Sequence, residues 1–267
     1  MGEYHRALIT GASAGIGESF AEELASRGCS LVLVARRRAL LEAAAERLRE
    51  RHRVEAEVLV ADLADPRQLE AVENRLSDES SPVDLLVNNA GVGETEPFAD
   101  CPVDSEQRTV LVNALAPTRL CHAALASMTK RGRGGILNVA SMAGQLPAFR
   151  NSATYGATKS YLCSLSESIR LELKAGNSRI AVTAVCPGYV PTDLTAGITL
   201  PKIAWTSREK VVRDSLRGLS KNKPLVIPGT LYKLAAIGAR AMPRALVRPF
   251  AADSPKDDDA LSTARTR

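Results

Sequence analysis

The chain is poor in the groups that metal chemistry needs. Its three histidines, His5, His52 and His122, are dispersed. Its five cysteines, Cys29, Cys101, Cys121, Cys163 and Cys186, are odd in number, and no two form a C-x-x-C pair. This pattern argues against a zinc site and for reduced thiols in a cytoplasmic compartment. No metal is implied. Long hydrophobic runs are also missing. The first apolar run, residues 7–9, leads straight into a glycine turn and does not read as a signal peptide. No stretch approaches the ~20 apolar residues of a membrane span. A formal charge of +5 is a mild excess, without the concentrated basic stripe of a nucleic-acid binder.

What is present suits one α/β domain. The chain has 267 residues, 45% hydrophobic and 24% charged, ordinary values for a globular protein that can bury a large core. Short apolar runs at 6–10, 30–36, 56–62, 83–88, 136–141, 180–186 and 225–227 read as strands. The run Leu31-Val32-Leu33-Val34-Ala35 is apolar without alternation, as a parallel strand covered on both faces requires. Helical patterns lie between them at 16–27, 39–51, 66–76, 105–129, 152–174 and 208–220. Seven strands alternating with six helices predict an open, doubly wound parallel sheet with right-handed crossovers. The domain is expected to span 1–250. It carries an insertion at 189–207 and a C-terminal extension at 229–250, followed by a polar tail, 251–267, expected to be disordered.

The turn after the first strand reads Thr10-Gly11-Ala12-Ser13-Ala14-Gly15-Ile16-Gly17. Glycines there let the backbone bend sharply and let a pyrophosphate approach the amides at the helix start. The strand–turn–helix context is that of a Rossmann-type dinucleotide site, although the spacing is G-x-x-x-G-x-G rather than G-x-G-x-x-G. About twenty residues on, a carboxylate would bind the ribose of NAD and an arginine the 2′-phosphate of NADP. Here strand two ends in Arg36-Arg37-Arg38 and no acid appears before Glu42. Three arginines at a helix N-terminus oppose the macrodipole, so NADP is the expected cofactor, held by Arg36 with Arg37 and Ser13. Asp62 and Leu63 close strand three, where the carboxylate could accept from an adenine amino group. Asp65, just before Pro66, is the better helix cap. Asn88-Asn89-Ala90-Gly91 closes strand four with a glycine suited to close approach of a ribose, although asparagines also merely stabilise turns.

Tyr155 and Lys159 stand four apart, on one face of a helix. A free phenol ionises near pH ~10, and a neighbouring ammonium favours the phenolate, drawing the group toward acid/base work at neutral pH.

With these motifs in this order, residues 6 to about 195 resemble a short-chain dehydrogenase/reductase. The matching positions are Thr10 to Gly17, Asp62, Asn88 to Gly91, Asn113, Ser141, Tyr155, Lys159, Pro187 and Gly188. The resemblance implies that Tyr155 is the general acid/base and that Lys159 lowers its pKa and binds the nicotinamide ribose. It implies that Ser141 positions a substrate carbonyl and that Asn113 ties a relay water to Lys159. Cofactor contacts fall to Gly11, Ser13, Gly15, Ile16, Gly17, Arg36, Asp62, Leu63, Asn89, Ala90 and Gly91. Pro187, Gly188, Val190 and Thr192 would cover the nicotinamide. NADP(H)-linked interconversion of a ketone or aldehyde and an alcohol is the expected activity, with a homodimer or homotetramer built through the long helices. One departure is Ala14, where many NADP-preferring members carry a basic residue. The alternative is a non-catalytic NADP(H)-binding redox sensor, which would have no reason to keep all four of Asn113, Ser141, Tyr155 and Lys159.

The substrate pocket should be rimmed by 93–98, 144–149 and 194–205. Leu194, Ile198, Leu200, Ile203 and Trp205 fit either an apolar lid over a hydrophobic substrate or ordinary packing. In the extension, Lys233, Arg240, Arg244 and Arg248 share one helical face beside Leu231, Leu234, Ile237, Leu246 and Phe250. Such a segment could lie on an anionic membrane. Pro243 interrupts it, and packing on the body or on a partner subunit is the favoured reading.

Overall fold

Apolar runs without alternation need cover on both faces, and the fold supplies it. The structure, a computed structural model, describes residues 4–94, 96–145, 151–176 and 178–241. Its first half runs β1 (Arg6–Thr10), α1 (Gly15–Ser26), β2 (Ser30–Ala35), α2 (Arg38–His52), β3 (Ala56–Val60), α3 (Pro66–Ser77) and β4 (Leu85–Asn88). Then come α4 (Val103–Val110), α5 (Ala116–Arg131), β5 (Gly135–Val139), α6 (Ala153–Ala175), β6 (Ala181–Val185), α7 (Arg208–Ser220), β7 (Leu225–Val226) and α8 (Thr230–Ala241). All strands pair in parallel, in the order β3-β2-β1-β4-β5-β6-β7.

Successive strand residues feed opposite layers. Ala7 and Ile9 of β1 pack with Phe20 and Leu24 of α1, Leu41 and Leu48 of α2, and Val211 and Leu216 of α7. Leu8, between them, packs with Leu69 and Val72 of α3 and Leu120 and Met128 of α5. The result is a Rossmann-type α/β domain with a parallel sheet between two helical layers. The chain runs outward from β1 to β3 and then returns to β4 beside β1. This reversal opens a crevice at the carboxyl ends of β1 and β4.

Local chemistry sets the element ends. Asp65 Oδ1 accepts from the Arg67 and Gln68 amides at 2.9 and 3.2 Å, with Pro66 leading α3. The single helix expected at 105–129 is divided. A π-helical turn, Leu111–Leu115, separates α4 from α5, closed by an Ala116 N–H bond to the Leu111 carbonyl. Pro117 explains the widening: it has no N–H to give to the carbonyl of Asn113, and its ring crowds the turn before it. The insertion at 189–207 holds two 3₁₀ turns, Asp193–Thr195 and Lys202–Ala204. A bridge between Tyr189 and Trp205 ties its two stems. The expected tail at 251–267, the end of the extension with Pro243, Arg244, Leu246, Arg248 and Phe250, and rim residues 146–149 lie outside the described residues. Among the described residues no helix is long and apolar enough to cross a membrane.

Candidate active site

The turn after β1 is built from backbone alone. Gly11 and Gly15 have φ of 67° and 61°, left-handed values that glycine adopts at no steric cost. A Cβ on Gly17 would lie 2.2 Å from the Gly11 carbonyl oxygen and 2.5 Å from Asn89 Nδ2, so helix and turn meet backbone to backbone. The N-cap of α1 is Ala14, which offers no side-chain bond. The first-turn amides therefore have no side-chain acceptor at the cap, as an anion site at a helix start requires. Asn89 pins this turn by donating Nδ2 to the Thr10 and Gly11 carbonyls at 3.0 and 3.4 Å. Asn88 points the other way, into the interior, and donates to Asn138 Oδ1 at 2.9 Å.

A cavity of about 430 Å³ opens at the carboxyl ends of β1, β4, β5 and β6. Gly11, Gly15, Ile16, Asn89, Ala90 and Gly91 form one wall. Ser141, Tyr155 and Lys159 stand on another, and Pro187, Gly188, Val190 and Thr192 close over them. Ser141 caps a short 3₁₀ turn, its Oγ accepting from the Ala143 amide at 3.1 Å. Its hydroxyl also lies near enough to the Tyr155 hydroxyl to favour the phenolate. Lys159 is buried, donates Nζ to the Val139 carbonyl at 2.9 Å, and lies 5.6 Å from the centre of the Tyr155 ring. Gly93 presses on that ring, where a Cβ would fall 2.6 Å from Cδ2.

The electrostatics differ from the expectation that Lys159 draws the Tyr155 pKa down. Burial pushes the Tyr155 hydroxyl up, and the neighbouring Ser141 hydroxyl opposes this only in part. Burial also lowers Lys159 from 10.5 to about 8. The ammonium faces the ring and a carbonyl, and it is itself close to losing its proton, so desolvation governs both groups. Tyr155 stays protonated at neutral pH, the state of a proton donor.

Asn113 is buried in the π turn, with its side chain fully engaged. Nδ2 donates to the Val92 carbonyl at 2.7 Å and to Thr158 Oγ1 at 3.2 Å, and Oδ1 accepts from the Val92 amide at 2.9 Å. It thus ties the loop after β4 to α6. Five other expected residues, Ser13, Gly17, Arg36, Asp62 and Leu63, lie off the cavity wall. Leu63 is buried in the core between the sheet and α3. Asp62 receives Arg108 Nη2 at 2.8 Å on both oxygens and the Ala64 amide at 3.0 Å. Burial raises its pKa, but those bonds and the charge of Arg36 outweigh it and hold the carboxyl below the usual range. Arg36 is exposed and forms no hydrogen bond or ion pair among the described residues. Its neighbour Arg37 reaches Ser13 Oγ at 3.3 Å and the Asp193 carboxylate at 3.6 Å.

The motif reading passed over Tyr189, Tyr232 and Ala235, all of which line the cavity. The Tyr232 hydroxyl donates to the Ala204 carbonyl and accepts from the Tyr189 amide at 3.1 Å, so α8 anchors both stems of the lid. A Cβ on Gly188 would fall 2.0 Å from the Tyr232 ring. Glycine therefore suits position 188, in a contact that spans 44 residues of sequence. Leu194 and Ile198 line the cavity, whereas Ile203 turns outward.

Known proteins share the sequence pattern and the fold of this chain. The short chain dehydrogenase family model matches residues 5–202. A short-chain dehydrogenase from Sphingobium yanoikuyae, solved in complex with NADPH, is 37% identical with a TM-score of 0.79, over 88% of this chain and 93% of its own. The bulky-bulky ketone specific alcohol dehydrogenase from Comamonas testosteroni is 37% identical with a TM-score of 0.78, over 88% of this chain and 92% of its own. The ketoacyl reductase HetN of Nostoc sp. is 34% identical over 219 residues, 81% of this chain and 75% of that protein.

Proposed function

This chain belongs to the short-chain dehydrogenase family, and from that premise we propose that it is an NADP(H)-dependent oxidoreductase interconverting a bulky apolar ketone or aldehyde with its alcohol. One observation carries the reading: Tyr155 and Ser141, with buried Lys159, face the same cavity as an uncapped, glycine-built helix start. That cradle fits a dinucleotide, with Gly11, Gly15 and Ile16 taking the pyrophosphate and Lys159 the nicotinamide ribose. When bound, the nicotinamide supplies or accepts the hydride.

The rest is the work of the chain. Tyr155 donates its phenolic proton to the substrate oxygen in reduction and, as phenolate, takes it back in oxidation. Ser141 donates a hydrogen bond to that oxygen and stabilises its developing charge. Asn113 positions the loop at Val92 against α6. A relay role for this residue falls to its backbone carbonyl, since its amide is fully engaged. Met142, Tyr189, Leu194 and Ile198 give the cavity apolar walls, and Glu94 beside them disfavours an anionic substrate. The bulky-ketone specificity of the Comamonas relative supports the same substrate class. The test is NADPH oxidation with a panel of neutral bulky ketones. Turnover is expected on at least one, and none on any would sink the reading.

NADP preference rests on the unpartnered Arg36 and on Arg37 at Ser13. Arg36→Ala is expected to raise the NADPH dissociation constant about tenfold, as loss of one charge-assisted phosphate contact does. Affinity for NADH should stay unchanged, and an equal effect on both would place the 2′-phosphate elsewhere. Five cysteines without a disulfide among the described residues support a reducing, cytoplasmic setting. Exposed Val110, Leu115 and Tyr161, on α4, the π turn and α6, give a homodimer or homotetramer a surface. Sedimentation velocity checks this, and a monomer at micromolar concentration would refute it.

A further inference from the structure

Helix α8 has two faces with different fates. Tyr232 and Ala236 turn inward, one bracing the lid and the other 3% exposed. Leu231, Leu234 and Ile237, spaced by three along one outward stripe, are 46%, 64% and 64% exposed. Of the favoured expectation for this segment, packing on the body or on a partner subunit, the first accounts for the inner face and leaves the outer one bare. The stripe borders the cavity, because Ala235 of the same helix lines its wall and is itself exposed. The lid turn that Tyr232 anchors carries Ile203, 79% exposed, next to Lys202.

Charge singles out one class of partner. From Ser215 to Ala252 the chain has no Asp or Glu in 38 residues but seven basic residues: Arg217, Lys221, Lys223, Lys233, Arg240, Arg244 and Arg248. Elsewhere acids are frequent, 30 in the whole chain, so this stretch departs from the rest. Lys233 is exposed and flanks the apolar stripe. We infer that the outer face of α8, a helix that lies within this acid-free basic run of the sequence, docks on an anionic lipid surface. An apolar stripe with a basic flank is the pattern of a helix lying in the membrane interface, its leucines among the acyl chains and its lysines at the headgroups. The cavity mouth then opens beside the lipid. Entry of an apolar substrate from the bilayer follows if the oxidoreductase reading holds, but the docking itself does not depend on it.

The test uses the full chain and vesicles of phosphatidylcholine with 30% phosphatidylserine, read by co-sedimentation. Binding is expected to the anionic vesicles, with about tenfold weaker binding to pure phosphatidylcholine, and release near 0.5 M NaCl as screening shortens the reach of the charges. The double variant Leu234→Asp/Ile237→Asp should bind the anionic vesicles at least tenfold more weakly while keeping the wild-type circular dichroism and thermal transition. Lys233→Glu, a change at an exposed side chain, should weaken binding several-fold and serves if the double variant does not fold. Wild type that ignores anionic vesicles, or variants that bind as wild type does, would overturn the proposal. So would a variant that loses an oligomer while the wild type shows no vesicle binding, since a second copy of the chain would then cover this face.

Discussion

Tyr155→Phe is expected to lower kcat for carbonyl reduction about a thousandfold, the range lost when a positioned general acid is removed, with NADPH affinity nearly unchanged. The substitution deletes one hydroxyl. The Tyr155 ring remains, packed against Gly93 and beneath Lys159, so the wall of the cavity keeps its shape. Ser141 still caps its turn through the Ala143 amide. The loss should therefore appear in kcat rather than in stability or cofactor binding. Because burial raises the Tyr155 pKa, wild-type reduction should be insensitive to pH through the neutral range. Alcohol oxidation, which needs the phenolate, should rise as the pH climbs above 8. Steady-state kinetics in both directions across pH 6–10 check this, and an oxidation rate that falls with pH would contradict the assignment.

Lys159→Met is expected to abolish most turnover and yet make the protein more stable at neutral pH. Folding lowers the Lys159 pKa from 10.5 to about 8 because burial disfavours the ammonium. Between those values the unfolded chain binds more protons than the folded one, so stability rises with pH across the window. Below pH 8 the full penalty applies, on the order of 3 kcal/mol for a shift of this size. Methionine fills similar volume without a charge to desolvate, but it leaves the Val139 carbonyl without its donor, a loss of about 1–2 kcal/mol. The net gain at pH 7 is about 1–2 kcal/mol, or a Tm higher by ~2–6 °C. Above pH 10.5 the gain should vanish or reverse. Denaturant melts of both proteins at pH 7 and pH 10.5 read the difference directly, which cancels the opposing ionisation of buried thiols such as Cys29 and Cys121. A variant less stable than wild type at pH 7 would show that Lys159 is held by interactions stronger than its desolvation.

The strands were legible because a parallel sheet buried on both faces demands unbroken apolar runs such as Leu31 to Ala35. The glycine turn was legible because close backbone approach admits few residue types, and the Tyr155/Lys159 pair because a spacing of four puts both on one helix face. What escaped was pairing across the chain. Helical periodicity indicates which face of α8 is apolar but not that Tyr232 reaches Ala204 and Tyr189, with which no local pattern connects it. A π turn differs from an α turn by one residue per bond, so 103–131 reads as one helix until Pro117 is weighed against Asn113. Asp62 has the position of an adenine acceptor, yet Arg108, 46 residues on, occupies both of its oxygens. The sign of the Tyr155 shift depended on depth, because a neighbouring charge lowers a phenol only where it outweighs desolvation.

The central claim is that Tyr155 passes a proton to a carbonyl that is reduced in this cavity. The most direct measurement incubates the protein with NADPH carrying deuterium at C4 and a panel of neutral bulky ketones, with Tyr155→Phe in parallel, and analyses the alcohols by mass spectrometry. Deuterium at the carbinol carbon of at least one product, formed by wild type and about a thousandfold more slowly by the variant, is the predicted result. Tight NADPH binding with no labelled alcohol from any ketone would contradict the account and leave a nucleotide-binding module in place of an enzyme.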